Sequence, residues 1–151
     1  MSEGLDNKKL KKLIGAFKGE MPSVRIGVLG GGKRSDGSSN AQIGAAHEYG
    51  TTTMPARSFL RQPITDEMDK QLYSSGSFDK EQLKQVVREG KITAWVLRIQ
   101  MIAEKIVKEG FASNGYGKWA KWSPGYSNRT GSILVDSGQL RDSITSEVVD
   151  G

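Results

Sequence analysis

The chain has 151 residues, of which 36% are hydrophobic and 26% are charged, and it contains no Cys and a single His. This length fits one domain over residues 1–151 with a modest core, and the lack of Cys excludes both a disulfide scaffold and a thiolate metal site. One His without a carboxylate cluster indicates no metal site, and we expect no cofactor. No apolar run approaches the ~20 residues that span a bilayer, so we expect a soluble protein made in the cytoplasm that contacts no membrane.

The net charge of +5 is concentrated near the N-terminus, where residues 1–34 carry eight Lys or Arg against three acids. Such a basic segment is suited to nucleic acid or to an acidic partner surface, and a solvated helix face is the equally weighted alternative. The candidate DNA-facing residues are Lys8, Lys9, Lys11, Lys12, Lys33 and Arg34.

Residues 1–20 are predicted to form a basic helix or arm. Leu10, Leu13, Ile14 and Phe17 follow the i, i+3, i+4, i+7 spacing of one helical face. The segment is short and has no Trp, which favours docking on the chain's own core over lying on a membrane.

The alternating residues 23–29 predict a β-strand. The Gly, Ser, Asp and Asn residues of segment 30–40 predict a mobile hairpin tip, and residues 41–49 read as a second strand that completes the hairpin. A helix is then expected to begin near Ala56, to be interrupted at Pro63 and to end near residues 74–76.

The second half of the chain is predicted to contain the main core helix. Asp79 is suited to cap a short helix that Gly90 ends, and residues 91–108 carry a strong apolar stripe that ends at Gly110. Residues 111–132 are expected to form a loop with two Trp and two Tyr, followed by a short helix around 137–141 and a strand over 143–149.

Three segments resemble known chemical sites, and we interpret each as structural. Residues 27–33 match the phosphate-binding pattern Gly-x4-Gly-Lys, but Arg34 replaces the Mg²⁺-binding hydroxyl and no helix is expected to follow. His47 and Glu48 are an acid–base pair by type, but in a strand they would point to opposite faces. The 118–122 loop interleaves Lys with Trp, as in single-strand binders, but we favour a loop pinned to the core or to a neighbouring subunit. We find no catalytic constellation and expect no enzyme.

Three segments, taken together, resemble a protein family. They are His47-Glu48-Tyr49-Gly50, then Met54-Pro55-Ala56-Arg57-Ser58-Phe59-Leu60, and finally Trp119 or Trp122 followed by Leu134-Val135-Asp136-Ser137-Gly138-Gln139-Leu140-Arg141-Asp142-Ser143-Ile144. Their order and spacing are similar to those of the virion-morphogenesis or tail-completion family of tailed phages, which overlaps the head–tail connector group. Ser137 departs from the usual Thr, and residues 77–90 match nothing in the family.

The resemblance implies an α+β fold in which a small, mostly antiparallel β-sheet packs against one long helix, with an N-terminal helix and long loops. It also implies a virion protein, assembled in the host cytoplasm, whose copies form a ring at the neck or tail terminus and join head to tail. Six copies are favoured and twelve would suit a portal-side adaptor; the expected partners are portal, neck or tail-tube proteins, with non-specific DNA contact in the lumen. The residues expected to define the fold or its assembly are His47, Glu48, Tyr49, Pro55, Arg57, Phe59, Trp119, Trp122, Leu134, Asp136 and Leu140.

Two competing hypotheses follow from the residues. The first is a sequence-independent DNA-binding module that uses the basic N-terminus and the Trp loop. The second is a nucleotide hydrolase that uses Lys33. Within the ring hypothesis, Arg57 is the candidate for an inter-subunit or intra-loop salt bridge, and its charge reversal is expected to block assembly.

Overall fold

The computed structural model describes residues 22–76, 79–90, 92–122, 124–126, 133–134 and 138–149. The predicted N-terminal helix over 1–20, with its lysines, and Asp136 lie outside these described residues. The described elements, in chain order, are β1 Ser23–Gly27, α1 Asn40–Tyr49, α2 Arg61–Ser74, α3 Lys80–Glu89, α4 Ile92–Ala112, a 3₁₀ turn Pro124–Tyr126, α5 Gln139–Asp142 and β2 Thr145–Val149.

The two strands form an antiparallel pair that joins the two ends of the described chain. Ser23 pairs with Val149 and Gly27 with Thr145. The strands predicted over 23–29 and 143–149 are therefore confirmed with shorter bounds, but they pair with each other, and β1 does not form the predicted hairpin with residues 41–49. The alternation of apolar and polar residues marks a strand without identifying its partner.

The predicted second strand over 41–49 is wrong, because these residues form helix α1. Ser39 caps the helix: its hydroxyl accepts from the Gln42 amide (3.1 Å), while the Gln42 side chain accepts from the Ser39 amide (3.0 Å). This reciprocal arrangement is the capping box that Ser-x-x-Gln encodes. Segment 30–40 is consequently not a hairpin tip between two strands but a closed loop, with an isolated bridge between Lys33 and Ser39.

Helix α2 begins at Arg61, later than the predicted start near Ala56, and Pro63 does not interrupt it. Pro63 is the third residue of the helix, in the first turn, where a backbone amide has no partner within the helix. The predicted end near residue 74 is confirmed. Asp79 precedes α3 and accepts a hydrogen bond from the Glu81 amide (2.7 Å), as expected for a cap.

Helix α4 has 21 residues and continues through Gly110, where the sequence predicted its end. Gly110 is buried, and a Cβ atom there would lie 3.4 Å from Cγ of Pro63. The glycine therefore allows α2 to approach α4 closely and does not terminate the helix. The predicted apolar stripe is confirmed at Ile106, which is fully buried.

The core lies where α4 packs against α2 and the sheet, and α1 packs against α5. Its buried cluster consists of Phe59, Val107, Phe111, Trp119, Ile133, Leu134 and Leu140. A small antiparallel sheet packed against one long helix is the predicted α+β class. Among the described residues, the helices are all too short or too polar to cross a bilayer.

Candidate functional site: the Glu48 corner and the tryptophan loop

Residues 47–61, which we call the Glu48 corner, connect the end of α1 to the start of α2. Glu48 is 5% exposed, and both of its carboxylate oxygens are used. Oε2 accepts from the amides of Phe59 (2.9 Å) and Leu60 (3.1 Å), and Oε1 accepts from the Arg61 amide (3.1 Å). These amides lie at the N-terminus of α2, where the helix dipole favours a negative charge. Glu48 therefore caps α2 from a different helix.

Ser58 completes this cap, and the sequence reasoning missed it. Its hydroxyl donates to Oε1 of Glu48 (2.7 Å) and accepts from the Gln62 amide (2.9 Å). A hydroxyl can donate and accept at once, so one side chain serves both the carboxylate and the helix. Ser58 lies three residues before Arg61, ahead of the N-cap position where a Ser is a recognised capping signal. Its second partner, Glu48, is ten residues away in sequence, so a local pattern does not reveal it.

Gly50 sets the sharpness of the corner. It has φ +76°, and an added Cβ would lie 2.8 Å from the backbone nitrogen of Ala56. The chain then closes a turn in which the Thr51 amide donates to the Met54 carbonyl (2.8 Å), and the Arg57 amide donates to the His47 carbonyl (2.7 Å). Only a residue without a side chain fits at position 50. Because residues 41–49 form α1 and not the predicted strand, the corner joins two helices.

Arg57 links the corner to residues 113–122, which we call the tryptophan loop. Its Nε donates to the Ala120 carbonyl (2.8 Å) and its Nη2 to the Lys121 carbonyl (2.8 Å). The residue is 6% exposed, and burial lowers the pKa of its guanidinium below its ordinary value. Arg57 thus donates two hydrogen bonds to backbone carbonyls, and the salt bridge expected of it, inter-subunit or intra-loop, stays a prediction. Charge reversal at Arg57 would break these internal bonds, so a loss of assembly would not by itself identify an interface.

Trp119 is pinned to the same corner. Its indole N–H donates to the Ser58 carbonyl (2.8 Å), and its ring meets Phe111 edge-on at 5.6 Å between centroids. Gly115, with φ +68°, lies under the ring, where an added Cβ would be 2.3 Å from it. The expectation that a Trp ring pins this loop to the core is confirmed for Trp119. Its buried faces are not available to stack on nucleic-acid bases.

The tryptophan loop is also anchored to the end of α4 by Tyr116. Its hydroxyl lies 3.1 Å from the Ile106 carbonyl and 3.2 Å from Oε2 of Glu109. Burial, together with the Glu109 carboxylate, raises the pKa of Tyr116 to about 12. The phenol therefore stays protonated at neutral pH and remains a hydrogen-bond donor.

The distant segment of the resemblance meets this corner in the core. Leu134 and Leu140 are 8% and 3% exposed and belong to the cluster that contains Phe59 and Trp119. Trp122 is partly buried and packs against that cluster. Gly44 in α1 leaves room for this contact, because an added Cβ would lie 3.4 Å from Leu140.

Tyr49 and Pro55 are on the outside of the corner. Tyr49 is 69% exposed, and the Arg61 guanidinium carbon lies 5.4 Å from its ring centroid. Pro55 is exposed as well. Both were predicted to define the fold or its assembly, and their exposure makes them surface residues rather than core residues.

His47 and Glu48 do not form a pair, although the strand argument for their separation is wrong. In a helix, neighbouring residues point about 100° apart, and Glu48 turns into the corner. His47 is partly buried, and among the described side chains its Nδ1 is a buried atom without a hydrogen-bond partner. Burial, then the Arg57 and Arg34 guanidinium groups, hold the pKa of His47 below its usual 6.5.

The described members of the basic set do not form a phosphate-binding loop. Lys33 is exposed, and Arg34 donates through Nε to Oδ1 of Asn40 (3.2 Å). Helix α1 begins at Asn40, seven residues after Lys33, so no helix N-terminus follows the lysine directly. Within the described ranges, no group of three or more His, Asp or Glu side chains is arranged to hold a metal ion.

Comparisons of the chain with protein-family models, with curated proteins and with solved structures found no match.

We predict that Glu48→Gln lowers the free energy of unfolding by about 2–4 kcal/mol, because an amide nitrogen would face backbone N–H donors in a buried site. Glu147→Gln is the matched control, since Glu147 makes an exposed ion pair with Arg25 (3.2 Å). The control is expected to change stability by at most about 1 kcal/mol. Urea denaturation measures the unfolding free energy of both variants. Equal decreases in the two variants would contradict the role of Glu48 as the cap of α2.

A second prediction concerns His47 and pH. Because its pKa is lower in the folded chain than the usual 6.5, the unfolded chain binds more protons between the two values. Neutral His47 therefore makes its whole contribution to the unfolding free energy above pH 6.5. This contribution is lost as the pH falls towards the pKa of His47 in the folded chain. The difference in unfolding free energy between the wild type and His47→Gln should narrow from about pH 7.5 to about pH 5. If the difference in unfolding free energy between the two proteins does not vary with pH, the lowered pKa of His47 is contradicted.

Proposed function

We propose that this chain is a structural subunit of a tailed-phage virion, which forms a ring at the neck or tail terminus and joins head to tail. The observation that carries the proposal is convergence: the third segment of the resemblance lies some sixty or more residues after the first two, and its described residues pack against them. Glu48 caps the helix that follows Pro55-Ala56-Arg57, Arg57 holds the tryptophan loop, and Leu134 and Leu140 pack beside Trp119.

The bonding of the corner supports a structural role for these residues. Both carboxylate oxygens of Glu48 accept bonds from the chain itself, and the Arg57 guanidinium donates to two internal carbonyls. Such polar groups are committed to holding elements in place rather than to reacting with a substrate. A scaffold of this kind suits a subunit whose external loops make the contacts with neighbours.

The exposed surfaces of the corner and of the end of α2 offer candidate contacts. Tyr49 is 69% exposed and Tyr73 is 73% exposed, and aromatic side chains are enriched in protein interfaces. A ring requires head-to-tail contacts between different patches of identical subunits. On this proposal the chain is a virion protein, assembled in the host cytoplasm, and its partners are other copies and portal, neck or tail-tube proteins.

The proposal is tested by counting subunits in the purified full-length protein and in native particles, using native mass spectrometry and electron microscopy. We expect closed rings, with six copies favoured and twelve for a portal-side adaptor. Tyr49→Ser is expected to reduce ring formation while leaving the unfolding transition unchanged, because this side chain is exposed. A chain that is monomeric at every concentration and absent from the particle would contradict the proposal.

The alternative function is sequence-independent DNA binding. The basic N-terminal sequence and the exposed Lys33 favour it. Trp119 is buried, however, and cannot serve as a stacking surface for bases. Affinity for duplex DNA that falls steeply with salt would favour this alternative.

A further inference from the structure

The exposed side of α4 carries two large apolar side chains that the core does not use. Leu97 is 46% exposed and Met101 is 70% exposed. They lie four residues apart, hence on the same side of the helix one turn from each other. Ala94, seven residues before Met101, is exposed too. These residues, which we call the α4 stripe, extend about 10.5 Å along the helix axis at ~1.5 Å per residue.

The sheet shows which end of α4 the N-terminal part of the chain approaches. Ser146 of β2 accepts a hydrogen bond from Gln100 (2.7 Å) and donates one to Glu104. Ile144 and Thr145, just before it, line a groove with Val107 and Lys108 of α4. Strand β2 therefore runs along α4 from its C-terminal half towards its N-terminal half.

The start of β1 lies at the same end as the α4 stripe. Ser23 pairs with Val149, the last residue of β2, three positions beyond Ser146. Three strand residues extend about 10 Å, which brings this end of the sheet to the part of α4 before Gln100. The chain that precedes Pro22 therefore joins the described fold towards the N-terminal half of α4, the half that carries the α4 stripe.

The sequence of that preceding chain matches the stripe in chemistry and length. Leu10, Leu13, Ile14 and Phe17 share one helical face, and Leu10 to Phe17 would extend about 10.5 Å along a helix. Phe17 is six residues before Ser23, a reach of up to about 20 Å for an extended chain. Lys8 and Lys12 would lie on the opposite face of such a helix, at 160–200° from Leu10 by the ~100° step per residue.

We propose that the α4 stripe is the docking surface for this chain's own residues 10–17, which bind through Leu10, Leu13, Ile14 and Phe17. Docking in this orientation buries Leu97 and Met101 and leaves the lysines in water. Arg98 and Lys105 border the stripe, and Lys105 is paired with Glu109 (3.7 Å). Lys8 and Lys12, on the face opposite Leu10, therefore point away from these cations, which keeps like charges apart.

Disulfide trapping tests this proposal, because the chain has no Cys and only introduced thiols can react. Met101→Cys is combined in turn with Leu10→Cys, Leu13→Cys, Ile14→Cys or Phe17→Cys, and in matched controls with Lys8→Cys or Lys12→Cys. A disulfide needs Cα atoms within about 7 Å. We expect at least one apolar position to give an intramolecular disulfide in a yield about tenfold above both lysine controls, as befits a one-sided contact.

The cross-linked species are separated by non-reducing electrophoresis and weighed intact. Met101 is 70% exposed, so its substitution leaves the core intact, which an unchanged unfolding transition of the reduced variants verifies. Disulfide-linked dimers would show that a second copy covers the stripe and would overturn the proposal. Equal yields for apolar and lysine positions, or no disulfide at any apolar position, would overturn it too. These outcomes do not depend on ring formation.

Discussion

The buried Glu48 carboxylate organises the rest of the described structure. A charge with 5% exposure is stable only if its oxygens are satisfied, and here three backbone amides and the Ser58 hydroxyl satisfy them. Those amides lie at the beginning of α2, where the N-cap residue Leu60 makes no side-chain hydrogen bond and Ser58 serves only the Gln62 amide. One side chain therefore fixes where α2 begins and how it is oriented relative to α1.

Two further contacts extend this constraint to the other half of the chain. Arg57 donates to two carbonyls of the tryptophan loop, and Trp119 returns a hydrogen bond to Ser58. The loop is thereby held over Phe111 at the end of α4. Residues separated by some sixty positions in sequence thus depend on one corner, which explains why motifs at positions 47–60 and 119–144 belong together physically. In the proposed ring subunit, the Glu48 corner and the tryptophan loop would hold the surface loops in position.

Sequence patterns predicted the elements whose signals are local. The stripe that includes Ile106 predicted the core helix, alternation predicted both strands, and Asp79 predicted a cap. One error arose where a tertiary contact overrides local preference, since Gly110 lies inside α4, where α2 packs against it. The error at Pro63 followed from placing the start of α2 too early, because a Pro in the first turn does not interrupt a helix. Helix α1 was predicted as a strand although Ser39 and Gln42 form a capping box, a local signal that was overlooked. The role of Glu48 was not accessible, because its partners are ten or more residues away and become neighbours only when the corner folds.

Amide hydrogen exchange at Phe59, Leu60 and Arg61 tests whether the Glu48 carboxylate holds the N-terminus of α2. Backbone amides in the first turn of a helix ordinarily exchange quickly, because they have no partner within the helix. We expect these three amides to be protected in the wild type and to lose their protection in Glu48→Gln, while the amides in the middle of α4 stay protected in both. Rapid exchange of the three amides in the wild-type protein would contradict this role of Glu48.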